Sequence, residues 1–336
     1  MRIAFDAMGG DFGPSVTVRG AVLAASDTGA HVVLVGRQDL IEAELRRLRN
    51  VPPNISVIHA SDVISMYDQP MASVRRRTDS SLVVAARMVA DGHAEALVSA
   101  GSTGAVTAAA YLYLGRLPNV ERPAIAVVLP SHHGFILLID SGANADCRSE
   151  HLAQFSLMGS IYAQRILGVR NPRVGILSIG EEESKGNQLV RGAIPRMKQL
   201  PINYVGPVEG RDIFSGRVDV VVTDGFTGNV VLKTAEGVAW LITGALRREF
   251  TKTWVRKAAA SMLLPALRGV ARRMDWAEVG GAPLLGVKGV VIIAHGRSNV
   301  KAIKNALVAA AAGIRNGLVQ AMAEMPPTKA LGKVAS

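Results

Sequence analysis

Short apolar, β-branched runs alternate along the chain with stretches of helical periodicity. The runs predict strands at Arg2–Asp6, His31–Gly36, Ile55–Ala60, Ala96–Ala100, Ala124–Leu129, Phe135–Asp140, Val174–Ile179, Ile202–Val205, Val218–Thr223 and Gly289–Ala294. Helical patterns fall at Leu40–Leu48, Ser81–Ala90, Thr103–Leu114, Glu150–Leu167, Gln188–Gln199, Val230–Phe250 and Asn299–Met322, with a further helix from Pro14 through Leu23. Runs that are apolar throughout suit strands buried on both faces of a mostly parallel sheet, and regular alternation with helices gives a layered α/β sandwich. One pair differs. Ala124–Leu129 and Phe135–Asp140 are joined by Pro130-Ser-His-His-Gly134, too short for a parallel crossover, so they form an antiparallel hairpin.

Composition narrows the class. The 336 residues are 49% hydrophobic, ample for a large core. We expect 1–325 to form one large α/β catalytic unit, with two lobes as the alternative, and 326–336 to be a flexible tail. The only cysteine, Cys147, excludes an intrachain disulfide and a cysteine metal cluster. Asp6 interrupts the first apolar run too early for a signal peptide, and no stretch reaches the roughly 20 apolar residues of a membrane span. A cytoplasmic protein, soluble or peripheral to a membrane, is the expectation. The net charge is +11, and much of it is local: eight basic residues lie between Arg247 and Arg273 against Glu249 alone. Such a block calls for an acidic partner.

The strand ends carry the candidate chemistry. The first strand runs into Asp6-Ala-Met-Gly9-Gly10-Asp11-Phe-Gly-Pro14. Others end in Gly101-Ser102-Thr103-Gly104, Asp140-Ser-Gly-Ala-Asn144, Gly180-Glu-Glu-Glu-Ser-Lys185-Gly-Asn187, Asp224-Gly225-Phe-Thr227-Gly228-Asn229 and His295-Gly-Arg-Ser298-Asn299. Ligands of open α/β sheets bind beyond the carboxyl ends of the strands, and parallel strands would gather these loops on one edge. Glycine amides, the hydroxyls of Ser102, Thr103 and Thr227, the amides of Asn144, Asn187 and Asn229, and the Lys185 ammonium all suit phosphate oxygens. Ser102 and Thr103 equally fit a helix N-cap, and Lys185, preceded by three glutamates, equally fits a solvated surface. His295 is the one histidine placed directly after an apolar strand, where it can act as acid or base. Cys147 has no adjacent histidine to activate it. The phosphate-loop, dinucleotide, nucleophile-elbow and His-Glu-x-x-His signatures are absent, and the aspartates show no metal-ligand spacing.

The ordered set of these motifs, with Lys288-Gly-Val-Val-Ile-Ile-Ala-His-Gly-Arg-Ser-Asn299, resembles the bacterial phosphate acyltransferases of phospholipid synthesis over nearly the whole chain. The resemblance implies transfer of a fatty acyl group from acyl-acyl carrier protein to inorganic phosphate, without a cofactor. The acyl phosphate product is then used by a membrane glycerol-3-phosphate acyltransferase. It implies a fold similar to isocitrate and isopropylmalate dehydrogenases and phosphate acetyltransferases, a homodimer, and peripheral association with the inner face of the cell membrane. Within that chemistry we expect Lys185, Asn229, Asp224 and His295 to be catalytic. Lys185, Asn229 and the 101–104 amides would hold phosphate or the oxyanion; Asp224 or His295 would move protons. Asp6, Gly9, Gly10, Asp11, Gly101, Ser102, Thr103, Gly104, Asp140, Asn144, Asn187, Gly225, Thr227, Gly228 and Ser298 would shape the phosphate site, Asp6 and Asp11 by orienting Lys185, loop amides or helix starts.

The basic stretch 238–275 reads as two amphipathic helices in a protruding hairpin, Val238–Phe250 and Thr253–Met274, bent at Pro265. Trp254, Met262, Leu263 and Leu264 form its expected membrane contact. A dimer-packing hairpin and a dock for an acidic carrier protein are the alternatives; nucleic acid lacks any supporting motif. Competing functions are acetyl transfer from coenzyme A to phosphate, a nicotinamide-dependent dehydrogenase of similar fold, and a membrane scaffold.

Overall fold

The computed structural model describes residues 1–132, 134–274 and 280–327, with side chains for all of these but 264–268 and 270–274. His133, residue 275 at the end of the basic stretch and the tail from 328 lie outside the described residues. In chain order the elements are β1 (Arg2–Asp6), α1 (Pro14–Thr28), β2 (His31–Gly36), α2 (Gln38–Arg46), β3 (Ile55–His59), α3 (Pro70–Arg76), α4 (Ser81–Ala90), β4 (Ala96–Ser99) and α5 (Thr103–Ala109), which widens into a π turn at Ala110–Leu114. Then follow β5 (Ala124–Ser131), β6 (Gly134–Ile139), α6 (Ser149–Arg165), β7 (Arg173–Leu177), α7 (Gln188–Met197), β8 (Asn203–Val208), a 3-10 turn at Gly210–Phe214 and β9 (Val220–Val222). The chain closes with α8 (Gly225–Thr251), α9 (Trp254–Met274), β10 (Ala282–Leu285), β11 (Val290–Ile293), α10 (Val300–Arg315) and α11 (Leu318–Ala323).

Every expected strand forms, and the strands share one sheet of order β3-β2-β1-β4-β11-β10-β5-β6-β9-β7-β8. Helices cover both faces, as the α/β reading requires. Ile3, Phe5, Val32, Leu34 and Val98 face α1, α2 and α10, while Ala4, Val33, Val35 and Leu97 face α4 and α5. In the other half Leu137, Ile139, Val174 and Val220 face α6 and α7. Leu138 and Val221 face the start of α8.

Two departures matter for the site. β10, with a proline inside four residues, gave no periodic signal, yet it lies antiparallel to both β11 and β5. β5 and β6 form the expected antiparallel hairpin, and β9 is parallel to β6. The strands beyond β5 therefore run opposite to β1, β4 and β11. The polar strand ends fall into two groups rather than on one edge. The second departure is at Asp224–Asn229, which is not a loop before a helix but the cap and first turn of α8. Asp224 accepts from the Thr227 amide at 2.9 Å and from its hydroxyl at 2.8 Å. These bonds satisfy a donor that the helix start would otherwise leave open.

Two smaller differences have simple causes. The C-terminal helical pattern breaks at Gly317, which takes a left-handed φ of 61° between α10 and α11. α9 continues through Pro265, so the interruption expected there does not form, while the turn of the hairpin sits at 252–253, between the two helices as expected.

Candidate active site

The first group of strand ends belongs to β1, β4 and β11. Asp6 ends β1 almost wholly buried, and its carboxylate accepts from the Ser99 hydroxyl at 2.7 Å and the Met8 amide at 3.2 Å. Ser99 in turn accepts from the Gly101 amide at 3.0 Å. Burial, more than anything else, pushes the Asp6 carboxyl above the usual carboxylate range, against the donors that hold it. Asp6 is therefore an organiser of the Gly9–Gly10 turn and the Gly101 loop. Ser102 stands at the N-cap of α5 without a side-chain capping bond, leaving the first-turn amides around Thr103 and Gly104 without a cap from it. The Asp11 amide donates to the Gly296 carbonyl at 2.8 Å, which ties the β1 turn to the β11 turn. Ser298, at that same turn, buries a hydroxyl that has no partner among the described residues.

The second group belongs to β6, β7 and β9. Asp140, fully buried, accepts from the amides of Ile125, Gly142, Ala143 and Asn144 at 2.8–3.1 Å and from the Asn144 side-chain amide at 2.8 Å. Asn144 also donates to the Pro123 carbonyl at 2.8 Å. With its donors spent in this way, the 140–144 loop is a rigid wall. The first turn of α8 is pressed on it. The Gly225 amide donates to the Asn144 carbonyl at 2.8 Å, and a Cβ at Gly228 would lie 1.9 Å from the Asp140 carbonyl oxygen. Only glycine allows that approach. Asn187 caps α7, accepting from the Val190 amide at 2.9 Å. Lys185 is exposed on the turn before it, and its ammonium pairs with no carboxylate among the described residues. The Ser178 hydroxyl, buried at the end of β7, is unpartnered among the described residues. Cys147 is half-buried and its thiol is pushed up to about 12, chiefly by burial, which leaves it unreactive.

α8 links the two groups. Asn229 flanks Gly142, with its Cβ 3.8 Å from where a Cβ on that glycine would stand. Lys233 lies one turn further along the same face, and Glu236 next to it, paired at 2.8 Å. Both charges act on His295 at the end of β11. One helix face thus runs from the 140–144 wall to the His295 turn, spanning roughly 6 Å from Asn229 to Lys233 at the helical rise. His295 Nδ1 accepts from the Arg297 amide at 3.1 Å, so the neutral ring carries its proton on Nε2. Desolvation and then Lys233 hold its pKa below the ordinary 6.5, partly offset by Glu236 and Asp11. His295 is a neutral donor near pH 7.

A family model described as "Fatty acid synthesis protein" matches residues 1–321. A phosphate acyltransferase from Pelotomaculum thermopropionicum is 49% identical over 320 residues, 95% of this chain and 93% of the relative. The chain belongs to the bacterial phosphate acyltransferases. The enzyme transfers an acyl group to phosphate within fatty-acid and phospholipid synthesis. Its fold is that of a phosphotransacetylase from Streptococcus pyogenes, with a TM-score of 0.64 at 16% identity over 94% of each chain. The same architecture extends to a 4-hydroxythreonine-4-phosphate dehydrogenase from Klebsiella pneumoniae, at a TM-score of 0.53 and 13% identity, covering 93% of this chain and 96% of that one. Among the described residues no three His, Cys, Asp or Glu side chains group to hold a metal ion.

Sequence reading of the enzyme missed Lys233 and Ser99. Lys233 could have been found from Asn229, once the helix was extended back to Gly225, because the two are four residues apart. Ser99 lies within an apolar strand and its spacing carries no signal.

Proposed function

We propose that the enzyme takes its acyl group from acyl-acyl carrier protein and passes it to inorganic phosphate by direct attack on the thioester. The supporting observation is the face Asn229–Lys233 of α8, which faces the 140–144 wall at one end and His295 at the other. A phosphate oxygen attacks the thioester carbonyl, the C–S bond breaks, and hydrogen phosphate supplies the proton that the leaving thiolate needs. No protein nucleophile takes part, in keeping with the unreactive Cys147. Lys185, Asn229 and the amides of 101–104 hold phosphate and the tetrahedral oxyanion; positioning and electrostatics supply the rate. Of the two candidates for proton handling, His295 is the better placed, because both oxygens of Asp224 already accept bonds from Thr227. Through Nε2–H it donates to the developing anion.

The deciding experiment incubates palmitoyl-carrier protein with phosphate and scores acyl phosphate and free carrier thiol. No product defeats the reading. Product from acetyl-coenzyme A alone favours the second one, phosphate acetyl transfer, which the phosphotransacetylase fold keeps open. Lys185→Ala should lower turnover by roughly 100-fold or more while the fold is retained; near wild-type turnover would remove Lys185 from the mechanism.

The same reading makes the enzyme a cytoplasmic homodimer lying on the inner face of the membrane, where a glycerol-3-phosphate acyltransferase consumes its product. The support is the hairpin of α8 and α9. In α8 only Gly225 and Gly228 are buried, and Trp240, Trp254 and Met262 stand 77–84% exposed. No helix among the described residues is long and apolar enough to cross a membrane.

A further inference from the structure

Behind the 140–144 wall, at the N-terminus of α6, lies a polar cavity of about 270 Å³ lined by Tyr111, Arg116, Glu121, Arg122, Arg148 and His151. Nothing in the proposed phosphate chemistry uses it. The π turn after α5 delivers Tyr111, and Arg116 sits over that ring at 5.8 Å from its centre. Arg116 donates to the Glu121 carbonyl at 2.5 Å, a neutral partner that leaves its charge uncompensated. Arg148 pairs with the Glu121 carboxylate at 2.7 Å. His151 is 4% exposed and accepts from the Arg148 amide at 3.1 Å; burial lowers its pKa, so it stays neutral. The Arg122 amide donates to the Gln154 side-chain oxygen at 3.4 Å, and its guanidinium makes no hydrogen bond or ion pair among the described residues. Two guanidinium charges therefore remain uncompensated, on a floor built by a buried histidine.

The volume limits the occupant. It is several times the roughly 30 Å³ share of one water and close to the lower end, about 300 Å³, of small-molecule sites. Forked guanidinium donors recognise phosphate oxygens, and an aromatic face beside them suits the organic part of an ester. The cavity also adjoins the reacting region. Arg122 precedes Pro123, whose carbonyl holds the Asn144 side chain at 2.8 Å, and the Arg122 charge reaches the Cys147 thiol.

We propose that this cavity binds the phosphate ester of the thiol-bearing arm of the acyl donor, separately from the attacking phosphate. The inference rests on the reading of the donor as a thioester. Pantetheine arms of soluble acyl carriers are joined through a phosphate distant from the sulfur, so two anion sites are needed in one turnover. The arginine cavity holds the donor's phosphate and the loop groups hold the acceptor.

Calorimetric binding of 4′-phosphopantetheine, pantetheine and inorganic phosphate tests this without relying on turnover. The full-length enzyme should bind 4′-phosphopantetheine at least about 10-fold more tightly than pantetheine, as expected of charge-assisted bonds. Arg122→Gln should abolish that preference with an unchanged melting temperature, since the Arg122 guanidinium supports no other group. In steady state the variant should show a raised KM for carrier-linked donor and an unchanged KM for phosphate. Equal binding of the two thiols by the wild type overturns the proposal. So does a raised KM for inorganic phosphate in Arg122→Gln, which would give the cavity to the acceptor. Retained preference together with no acyl phosphate from carrier-linked donor would support the cavity while defeating the functional reading.

Discussion

At the scale of single residues, His295 shows how position sets chemistry. Its ring is held by the Arg297 amide at Nδ1, and desolvation and Lys233 both disfavour the imidazolium. The folded ring binds protons less readily than the unfolded one. Its neutral form is therefore complete above the ordinary value of 6.5 and is lost only as pH falls through a lower folded pKa. Protonation would also set an Nδ1–H against the Arg297 N–H. We expect the wild-type rate at saturating substrates to fall on the acid side below pH 6.5, and His295→Ala to lower the rate about 100-fold and lose that limb. Phosphate's own ionisation is common to both proteins, so the difference between the two profiles reports on His295. An identical acid limb in the variant would assign the limb to the substrate instead. His295 was legible in the sequence because it follows an apolar run directly. Its tautomer was not, because that depends on a backbone amide two residues on.

Elements, rather than residues, explain why so much of the candidate site does not touch a ligand. Asp140, Asn144, Asn187, Gly225, Thr227 and Gly228 were picked from sequence for the phosphate site and Asp224 for proton transfer, and the structure engages them with one another and with helix starts. The sequence marks polar strand ends well, since a run of Ile, Leu and Val stopping at Asp-Ser-Gly is unmistakable. It does not say whether an Asp or Asn accepts from a ligand-free helix start or faces an anion, because both uses select the same short side chains. The docking of α8 on the wall can be tested directly. In Gly228→Ala the new methyl meets the Asp140 carbonyl, a backbone atom that cannot rotate away. We expect a loss of roughly 1–3 kcal/mol, read from urea unfolding, as for other overpacked sites. Turnover should fall further than the folded fraction does, because Asn229 and Lys233 move with the helix. A variant with lower stability but full turnover at low temperature would detach α8 from the chemistry. Asp140→Ala should cost roughly 3 kcal/mol or more, since several buried amides lose their acceptor together.

At the scale of the whole molecule, strand direction and the hairpin decide how the enzyme meets its surroundings. The layered α/β sandwich was readable from strand–helix alternation. The reversal between the two halves falls at the β5–β6 hairpin, readable from its short connection, whereas the insertion of β10 between β11 and β5 was not readable, because it has four residues with a proline and no periodic signal. The hairpin was readable as two amphipathic helices with the turn between them, but the interruption expected at Pro265 does not form, because α9 runs through that proline. Trp254, beside the turn, and Met262, eight residues on, share one helix face. Arg248, Lys252, Arg256 and Lys257 are exposed around them. Leu263 is 54% exposed, and the Leu264 side chain lies outside the described residues. Burying one such large apolar side chain in a lipid interface contributes about 1.5–3 kcal/mol, and the basic residues add attraction that salt screens. Trp254→Asp combined with Met262→Asp should therefore reduce sedimentation with anionic vesicles by at least about 10-fold. The remaining binding should disappear as ionic strength rises. Turnover on carrier-linked donor in the absence of vesicles should not change, since neither residue lies near the loop groups. If the double variant binds vesicles like the wild type, the hairpin's exposed apolar face must be covered by protein. A shift of that variant from dimer to monomer on size-exclusion chromatography with light scattering would then identify the second copy as what covers it.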